Sequence, residues 1–136
     1  MRRIALALCL LLAPLTAQAQ ETGSEGAIHG VISGQIDAFR LDDLATAFTF
    51  ASPGIQSMFR TPENFGAMVR NGYPMVWRPD RLRFGPQRSQ GGVIWQQVIV
   101  TDAQGRAHVL DYRMEQVDGQ WRIAGVQILA APEVSA

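Results

Sequence analysis

The stretch RAHVLDYRMEQVDGQWRIAGVQIL, residues 106–129, decides the fold. Apolar and polar side chains alternate up to Val117, which is the two-residue period of a half-buried strand. Asp118-Gly119 is a residue pair that two-residue hairpin turns favour, because both turn positions need positive φ. The stretch therefore predicts two antiparallel strands joined by a tight turn. The more apolar face of the first strand carries His108, Leu110, Tyr112 and Met114.

Further strands are predicted before this hairpin. Residues 93–101 are rich in β-branched and aromatic side chains, and the polar run 102–105 that follows is typical of a turn. A strand around Met75 to Phe84 has Pro74 and Pro79 near it, and proline confines a strand to an edge or a bulge. Gly85-Pro86 and Gly91-Gly92 are predicted to be hairpin turn residues.

Residues 27–72 have helical periodicity instead. A first helix is predicted from an apolar stripe, and Gly30 and Gly34 on it indicate close contact with a neighbouring element. Asp42 or Asp43 can cap a second helix, which Ser52-Pro53-Gly54 ends. Thr61 and Pro62 begin a third helix, and Gly72 is expected to end it in a left-handed conformation. The stripe of the first helix consists of Ile28, Val31, Ile32, Ile36 and Phe39.

The order of these elements predicts an α+β domain. Three N-terminal helices are expected to pack on one face of a strongly bent antiparallel sheet, in a cone-like arrangement. We place this single domain at residues 27–130, after a disordered linker over 20–26 and before a flexible tail over 131–136.

The N-terminus has the pattern of a cleavable signal peptide. Two arginines precede an apolar run of about ten residues, which is too short for a membrane-spanning helix, and Ala17-Gln18-Ala19 fits the small-residue cleavage pattern. We expect cleavage between Ala19 and Gln20, a location in the periplasm or outside the cell, and no membrane anchor after cleavage.

Composition excludes several function classes. The 12 basic residues are all arginine and balance 12 acidic ones, which gives no polybasic signal for nucleic acid or anionic membranes. The only cysteine lies in the predicted signal peptide, and the two histidines are far apart, so no metal site is expected. No nucleophile elbow or phosphate-binding loop is present, and we predict no cofactor.

Several segments resemble a known bacterial family, domain of unknown function 4864. They are QIDAFR (35–40), AFTFASPGIQ (47–56), PENF (62–65) and YPMVWRP (73–79). With the terminal DGQWRI (118–123), the order of elements is similar to the nuclear-transport-factor-2-like (SnoaL-like) superfamily of α+β cones. The resemblance implies export from a Gram-negative bacterium and an opening between the helices and the concave sheet face. No activity comes with the family.

Candidate site residues follow from where each side chain falls. Tyr73, Trp77, Trp95 and Tyr112 are the candidates for contact with a ligand, because such rings combine apolar area with a polar tip. His108, on the inward face of its strand, is the best candidate for acid–base chemistry. Asp37 and Tyr112 are weaker catalytic candidates.

Three functions stay open at this point. The leading hypothesis is a non-enzymatic domain that binds a small apolar molecule or a protein partner. One alternative is a small lyase or isomerase that uses His108, since ketosteroid isomerases and dehydratases share the cone fold. Another is a homodimer formed through a sheet that is apolar on both faces, as Val98, Val100, Val126 and Ile128 suggest.

Overall fold

The computed structural model describes residues 16–130, with side chains from 24 to 129. Most of the predicted signal peptide and the whole predicted C-terminal tail therefore lie outside the described residues. The helices are α1 (Thr16–Arg40), α2 (Leu44–Thr49), α3 (Pro53–Phe59), α4 (Pro62–Gly72) and α5 (Pro74–Trp77). The strands are β1 (Arg81–Gln90), β2 (Val93–Thr101), β3 (Ala107–Val117) and β4 (Gln120–Ala130).

The four strands form one antiparallel sheet in the order β1-β2-β3-β4. The predicted α+β class is confirmed. The turn between β3 and β4 is also the predicted one, because Asp118 and Gly119 have φ values of 50° and 78°. Gly91 and Gly92, at 59° and 78°, form the turn between β1 and β2. Positive φ at both central residues is typical of the type I′ turn, whose twist matches that of the flanking strands.

The described residues form five helices, so the prediction of three was wrong. Ser52-Pro53-Gly54 does end α2, but it also begins α3. The Ser52 hydroxyl accepts a hydrogen bond from the Ile55 amide at 3.3 Å, and Pro53 is the first helical residue. Proline is well tolerated there, because the missing N–H would have no partner in the helix.

The same effect corrects the predicted start of the first strand. Pro74 is the first residue of α5, a single turn that occupies the place where the strand around Met75 was expected. The strand itself, β1, begins only at Arg81. Pro86 lies within it as an edge-strand residue, so the interpretation of Gly85-Pro86 as a hairpin turn was wrong.

Two predicted caps are present and a third differs. Asp43 accepts a hydrogen bond from the Thr46 amide at 3.2 Å, and Thr61 accepts one from the Asn64 amide at 3.1 Å. Gly72 is the last residue of α4, but it has no positive φ. Tyr73 ends the helix instead, with a φ of −135° and an amide that donates to Val69.

Helix α1 is longer than predicted. It begins at Thr16, so residues 20–26 have a helical backbone where we expected a disordered linker. Adding a helical residue to an existing helix costs far less than starting a new one, and the buried part of α1 supplies the existing helix. Four side chains on it are 0% exposed, namely Ile28, Ile32, Ile36 and Phe39.

One face of the sheet, here called the core face, belongs to the same buried cluster as the α1 stripe. Its fully buried members include Val98, Val100 and Leu110. Val126 pairs with Tyr112, and Ile128 pairs with Leu110, so these residues lie on the core face too. The four residues that suggested a doubly apolar sheet therefore all lie on one face. The opposite face of the sheet carries Trp95 and Ile99, and arginines pair with both of them across β1 and β2.

Bulges interrupt the strand pairing at both edges. Between β1 and β2 the register shifts from Phe84 to Gln87. In β4, Ile123 pairs with Met114 and Gly125 pairs with Arg113, so Ala124 has no partner. Such an extra residue bends its strand and increases the local twist. It also lets Ile123 and Val126, three residues apart, face the same side.

The buried side chain of Gln96 is hydrogen-bonded to the bulged part of β1. Its side chain is 0% exposed, and its Nε2 donates to the Gly85 carbonyl at 3.0 Å. Its Oε1 accepts from Gln87 at 2.9 Å and lies 3.1 Å from His29 Nε2. An amide oxygen can only accept, so His29 must carry its proton on Nε2. The buried amide thus ties α1 to the irregular part of β1.

Gly34 and Gly30 behave differently on α1. A Cβ built on Gly34 would lie 2.8 Å from the Phe50 ring, whereas nothing lies within 4 Å of one on Gly30. The predicted close contact is therefore present at Gly34 and absent at Gly30.

These two glycines make a matched pair for stability measurements. Gly30→Ala should raise the free energy of unfolding by about 0.5–1 kcal/mol, because alanine is the better helix former. Gly34→Ala should lower it by about 1 kcal/mol or more, since the Phe50 ring must move. Urea unfolding of both variants checks this, and equal effects at the two positions would contradict the observed packing.

Candidate functional site

A cavity of about 280 Å³ lies between the helices and the β3–β4 side of the sheet. Sixteen residues line it, and nearly all of them are apolar. The α-helical segments contribute most of the wall, and β4 contributes the bulged segment around Ala124. The wall consists of Gln35, Phe39, Ala51, Ile55, Met58, Phe59, Phe65, Met68, Val69, Tyr73, Val76, Tyr112, Ile123, Ala124, Gly125 and Val126.

Backbone hydrogen bonds place α3 against β4. The Ile123 amide donates to the Phe50 carbonyl at 2.8 Å, and the Ser52 amide donates to the Ile123 carbonyl, also at 2.8 Å. Ala51 and Ile123 thereby form a short parallel bridge. The Gln56 side chain adds two bonds at 3.1 Å, to the carbonyls of Phe48 and Ala51. These contacts position the α3 wall of the cavity.

Phe65 of α4 is the centre of an aromatic cluster beside the cavity. Its ring lies 6.0 Å from Phe39, 5.4 Å from Phe48 and 6.0 Å from Phe59, measured between ring centroids. Tilted and edge-on arrangements at such distances are the favourable ones for aromatic pairs. The cluster joins α1, α2, α3 and α4, so it gives the cavity a wall of well-packed rings.

Only three of the lining residues have polar side chains, and none is charged. Tyr73 donates its hydroxyl to the Val126 carbonyl at 3.1 Å. Gln35 donates from Nε2 to the Ala47 carbonyl at 3.1 Å. Burial, and secondarily the neighbouring Tyr73, raise the pKa of the Tyr112 phenol, so it remains a neutral group.

The structure brings two of the four predicted ligand residues together. Tyr73 and Tyr112 both line the cavity, whereas Trp77 and Trp95 do not. Trp77 is a core residue: its ring is 5.2 Å from Phe39, and the Arg70 guanidinium lies 4.5 Å above it. The sequence analysis expected Trp77 in a strand that Pro74 and Pro79 confine to an edge or a bulge, whereas it lies in the one-turn helix α5.

Trp95 lies on the opposite face of the sheet. Its neighbours on β2, Ile94 and Gln96, pair with core-face residues, which directs Trp95 away from the core. The Arg88 guanidinium lies 5.6 Å from its ring.

Gln35 is the main residue of the cavity lining that the sequence analysis did not predict. Its position four residues before Phe39 on α1 was the available signal, because residues four apart share a helix face.

Two of the three catalytic candidates lie outside the cavity lining. Asp37 is exposed and pairs with Arg40 at 3.0 Å. His108 is 9% exposed, and its Nε2 lies 2.9 Å from Asp102 Oδ2, at the turn between β2 and β3. Of the three candidates, only Tyr112 contributes to the cavity wall.

Asp102 organises that turn. Besides His108, it accepts hydrogen bonds from the Gln104 amide at 3.0 Å, the Arg106 amide at 2.9 Å and Arg106 Nε at 3.1 Å. The hydrogen bond with His108, followed by those from the two amides, lowers the pKa of Asp102 to about 2. The cluster has the side chains of an acid–base pair, but its hydrogen bonds are those of a turn.

Stability should therefore depend on pH through Asp102. Its pKa is lower in the folded than in the unfolded chain, so its contribution is present above about pH 4 and is lost as the pH falls towards 2. Asp102→Asn should flatten the stability profile over that window, measured by urea unfolding at a series of pH values. Parallel profiles for the variant and the parent would contradict this.

Asp111 is a buried carboxylate on the opposite face of the sheet. It is 0% exposed, and its Oδ2 accepts from Arg88 Nη2 at 2.5 Å. Its Oδ1 is buried without a hydrogen-bond partner among the described residues. The positive charge of the half-exposed Arg88 therefore offsets the negative charge of Asp111, which would be costly to bury alone.

Replacing Arg88 should therefore lower the stability of the folded domain. Arg88→Met should lower the free energy of unfolding by about 2 kcal/mol, because it leaves a buried charge unpaired. Arg83→Met, on the same strand and face, should change it by less than about 0.5 kcal/mol, because Arg83 forms no ion pair with a described side chain. Asp111→Leu in the Arg88→Met background should recover most of the loss. Equal costs for the two arginines would rule out this role of Arg88.

Among the residues that the structure describes, no group of three or more His, Cys, Asp or Glu side chains could hold a metal ion. No helix there is long and apolar enough to cross a membrane.

Comparisons with known proteins identify the family. Neither a search of curated proteins nor a search of solved structures found a match. A family model, described as "Domain of unknown function (DUF4864)", matches residues 21–136. This range covers most of the 136 residues, and the segments that carried the resemblance all lie within it. The chain belongs to the domain of unknown function 4864 family.

Proposed function

We propose that this domain binds a small, predominantly apolar molecule in the cavity between α3, α4 and β4, without catalysing a reaction. The observation that carries the proposal is the cavity itself, about 280 Å³ with an almost wholly apolar wall. Small-molecule sites generally begin at about 300 Å³, and an apolar cavity of about 150 Å³ already admits benzene. The volume therefore suits a compact ligand.

The lining favours binding over catalysis. Acid–base chemistry needs a titratable group within hydrogen-bond reach of the reacting atoms. His108 and Asp37 lie outside the wall, and the wall contains no carboxylate, imidazole or arginine. A neutral phenol and an amide can orient a ligand, but they supply no base at neutral pH. This weakens the lyase or isomerase alternative.

The homodimer alternative has less support than it had from the sequence. Val98 and Val100 are fully buried within the core, so of the four residues behind this alternative only Val126, partly buried, and Ile128, 46% exposed, are available to a second copy. The opposite face carries Arg83, Arg88 and Arg113. Burying these arginines against a second copy would remove their charges from water, which is costly unless each has an acidic partner, as Arg88 has in Asp111.

We further propose that the domain is a nuclear-transport-factor-2-like cone and that it is exported. Helices followed by an antiparallel meander, a final hairpin at Asp118-Gly119 and a cavity between helices and sheet support the superfamily. The basic start, the short apolar run and Ala17-Gln18-Ala19 support export to the periplasm or beyond. N-terminal sequencing of the protein from its own cells tests the cleavage site before Gln20.

A pair of isoleucine variants tests the binding site. Ile55 is partly buried and lines the cavity, whereas Ile99 is partly buried on the opposite sheet face. Ile55→Trp should fill the cavity and weaken binding of the fluorescent apolar probe N-phenyl-1-naphthylamine by about tenfold or more, or about 1.4 kcal/mol. Ile99→Trp should leave the dissociation constant within about twofold. Circular dichroism confirms that both variants fold.

The two variants distinguish binding in the cavity from binding elsewhere on the protein. Saturable probe binding that is lost only in the Ile55 variant supports the cavity as the site. Absence of saturable binding to the parent protein, or equal weakening by the two variants, would refute it.

A further inference from the structure

We infer that the cavity selects a ligand with one neutral polar end group that both accepts and donates a hydrogen bond, such as a hydroxyl or an amide, on an apolar body. This inference rests on the proposed function and names the class of ligand. Two buried polar groups of the wall, Tyr112 and Gln35, carry it. Each has hydrogen-bonding capacity that the described part of the protein leaves unused.

Tyr112 supplies the donor. Its side chain is only 1% exposed and lines the cavity, yet no described residue accepts a hydrogen bond from its hydroxyl. Tyr73 is the internal comparison, because its hydroxyl is already bonded to the Val126 carbonyl. The Tyr112 oxygen is not among the fully buried side-chain atoms that lack a partner, so a ligand acceptor in the cavity can reach the hydroxyl and take up this unused hydrogen bond.

Gln35 supplies the acceptor. Its amide orientation follows from chemistry, because the Ala47 carbonyl can only accept and must therefore face the Nε2 end. The Oε1 end is left without a donor from the described residues, although the residue is 5% exposed and lines the same cavity. A ligand N–H or O–H can donate to it.

Besides an acceptor for Tyr112 and a donor for Gln35, the ligand must meet a third requirement, which follows from the uncharged lining of the cavity. None of the lining residues is an arginine, a histidine or an acid. An ionised ligand group at the inner end would lose its hydration without gaining an opposite charge, which is strongly unfavourable. The polar end group must therefore be neutral. A carboxylate is disfavoured, whereas an alcohol or an amide meets all three requirements.

Three eight-carbon probes and one variant test this inference. We would measure dissociation constants of 1-octanol, octane and octanoate at pH 8 from backbone amide chemical shifts around Ala124. The parent protein should bind 1-octanol about tenfold or more tightly than octanoate. Tyr112→Phe should weaken 1-octanol by about five- to tenfold, the effect of one lost hydrogen bond, and leave octane within about twofold.

A second comparison does not depend on the variant. 1-Methoxyheptane is an isomer of 1-octanol that keeps the acceptor oxygen and lacks the donor. In the parent protein it should bind several-fold more weakly than 1-octanol, because Gln35 Oε1 would remain unpaired. This comparison stays informative even if Tyr112→Phe does not fold.

Each outcome bears on a different claim. If octane binds but octanoate matches 1-octanol, or if Tyr112→Phe weakens octane and 1-octanol equally, the inference about the end group is wrong while the apolar cavity remains a site. If none of the probes binds, the proposed function fails, and the inference fails with it. Selective weakening of 1-octanol supports both.

Discussion

The cavity depends first on two backbone hydrogen bonds, which join Ile123 of β4 to Phe50 and Ser52. They attach the connection between α2 and α3 to the edge of the sheet at the point where Ala124 bulges. Because Ser52 also caps α3, the same connection sets the position and direction of that helix. One wall of the cavity therefore depends on strand pairing, which is more rigid than side-chain packing alone. The bulge then directs Ile123 and Val126 towards the cavity, which Tyr112 also lines.

Buried polar side chains complete this arrangement in two different ways. Gln96 is fully satisfied by Gly85, Gln87 and His29, so it holds the bulged edge strand β1 to α1. Tyr112 and Gln35 are 1% and 5% exposed, and each has a polar atom that no described residue bonds and that is not fully buried. A fully bonded buried amide stabilises one conformation, whereas accessible polar atoms without a bond on a cavity wall can form hydrogen bonds with another molecule. This difference distinguishes a structural network from a recognition site in a protein whose cavity wall is otherwise apolar.

The strands β2, β3 and β4 and the N-terminal caps of two helices could be predicted because their signals are local. Alternation, the Asp118-Gly119 pair and the capping residues Asp43 and Thr61 each act within a few residues, and each is confirmed. Pro53 and Pro74 were misinterpreted because proline both ends and begins helices, and only tertiary contacts decide which. Tyr73 and Tyr112 could be proposed as ligand contacts from residue type, but Trp77 and Trp95 could not be separated from them without knowing which face each ring takes. The balanced net charge also gave no indication that arginines lie on one face of the sheet, because the sum of charges over a chain does not say where each charge lies.

The most direct test is the electron density inside the cavity of crystals grown from protein purified gently from its own cells. Our account predicts continuous density for a small molecule against Phe39, Phe65 and Ile123, with one end within hydrogen-bond distance of Tyr112 and Gln35. A cavity closed by inward movement of Met58 and Met68, or one that holds only ordered water, would contradict the claim that this domain is built to bind an apolar ligand.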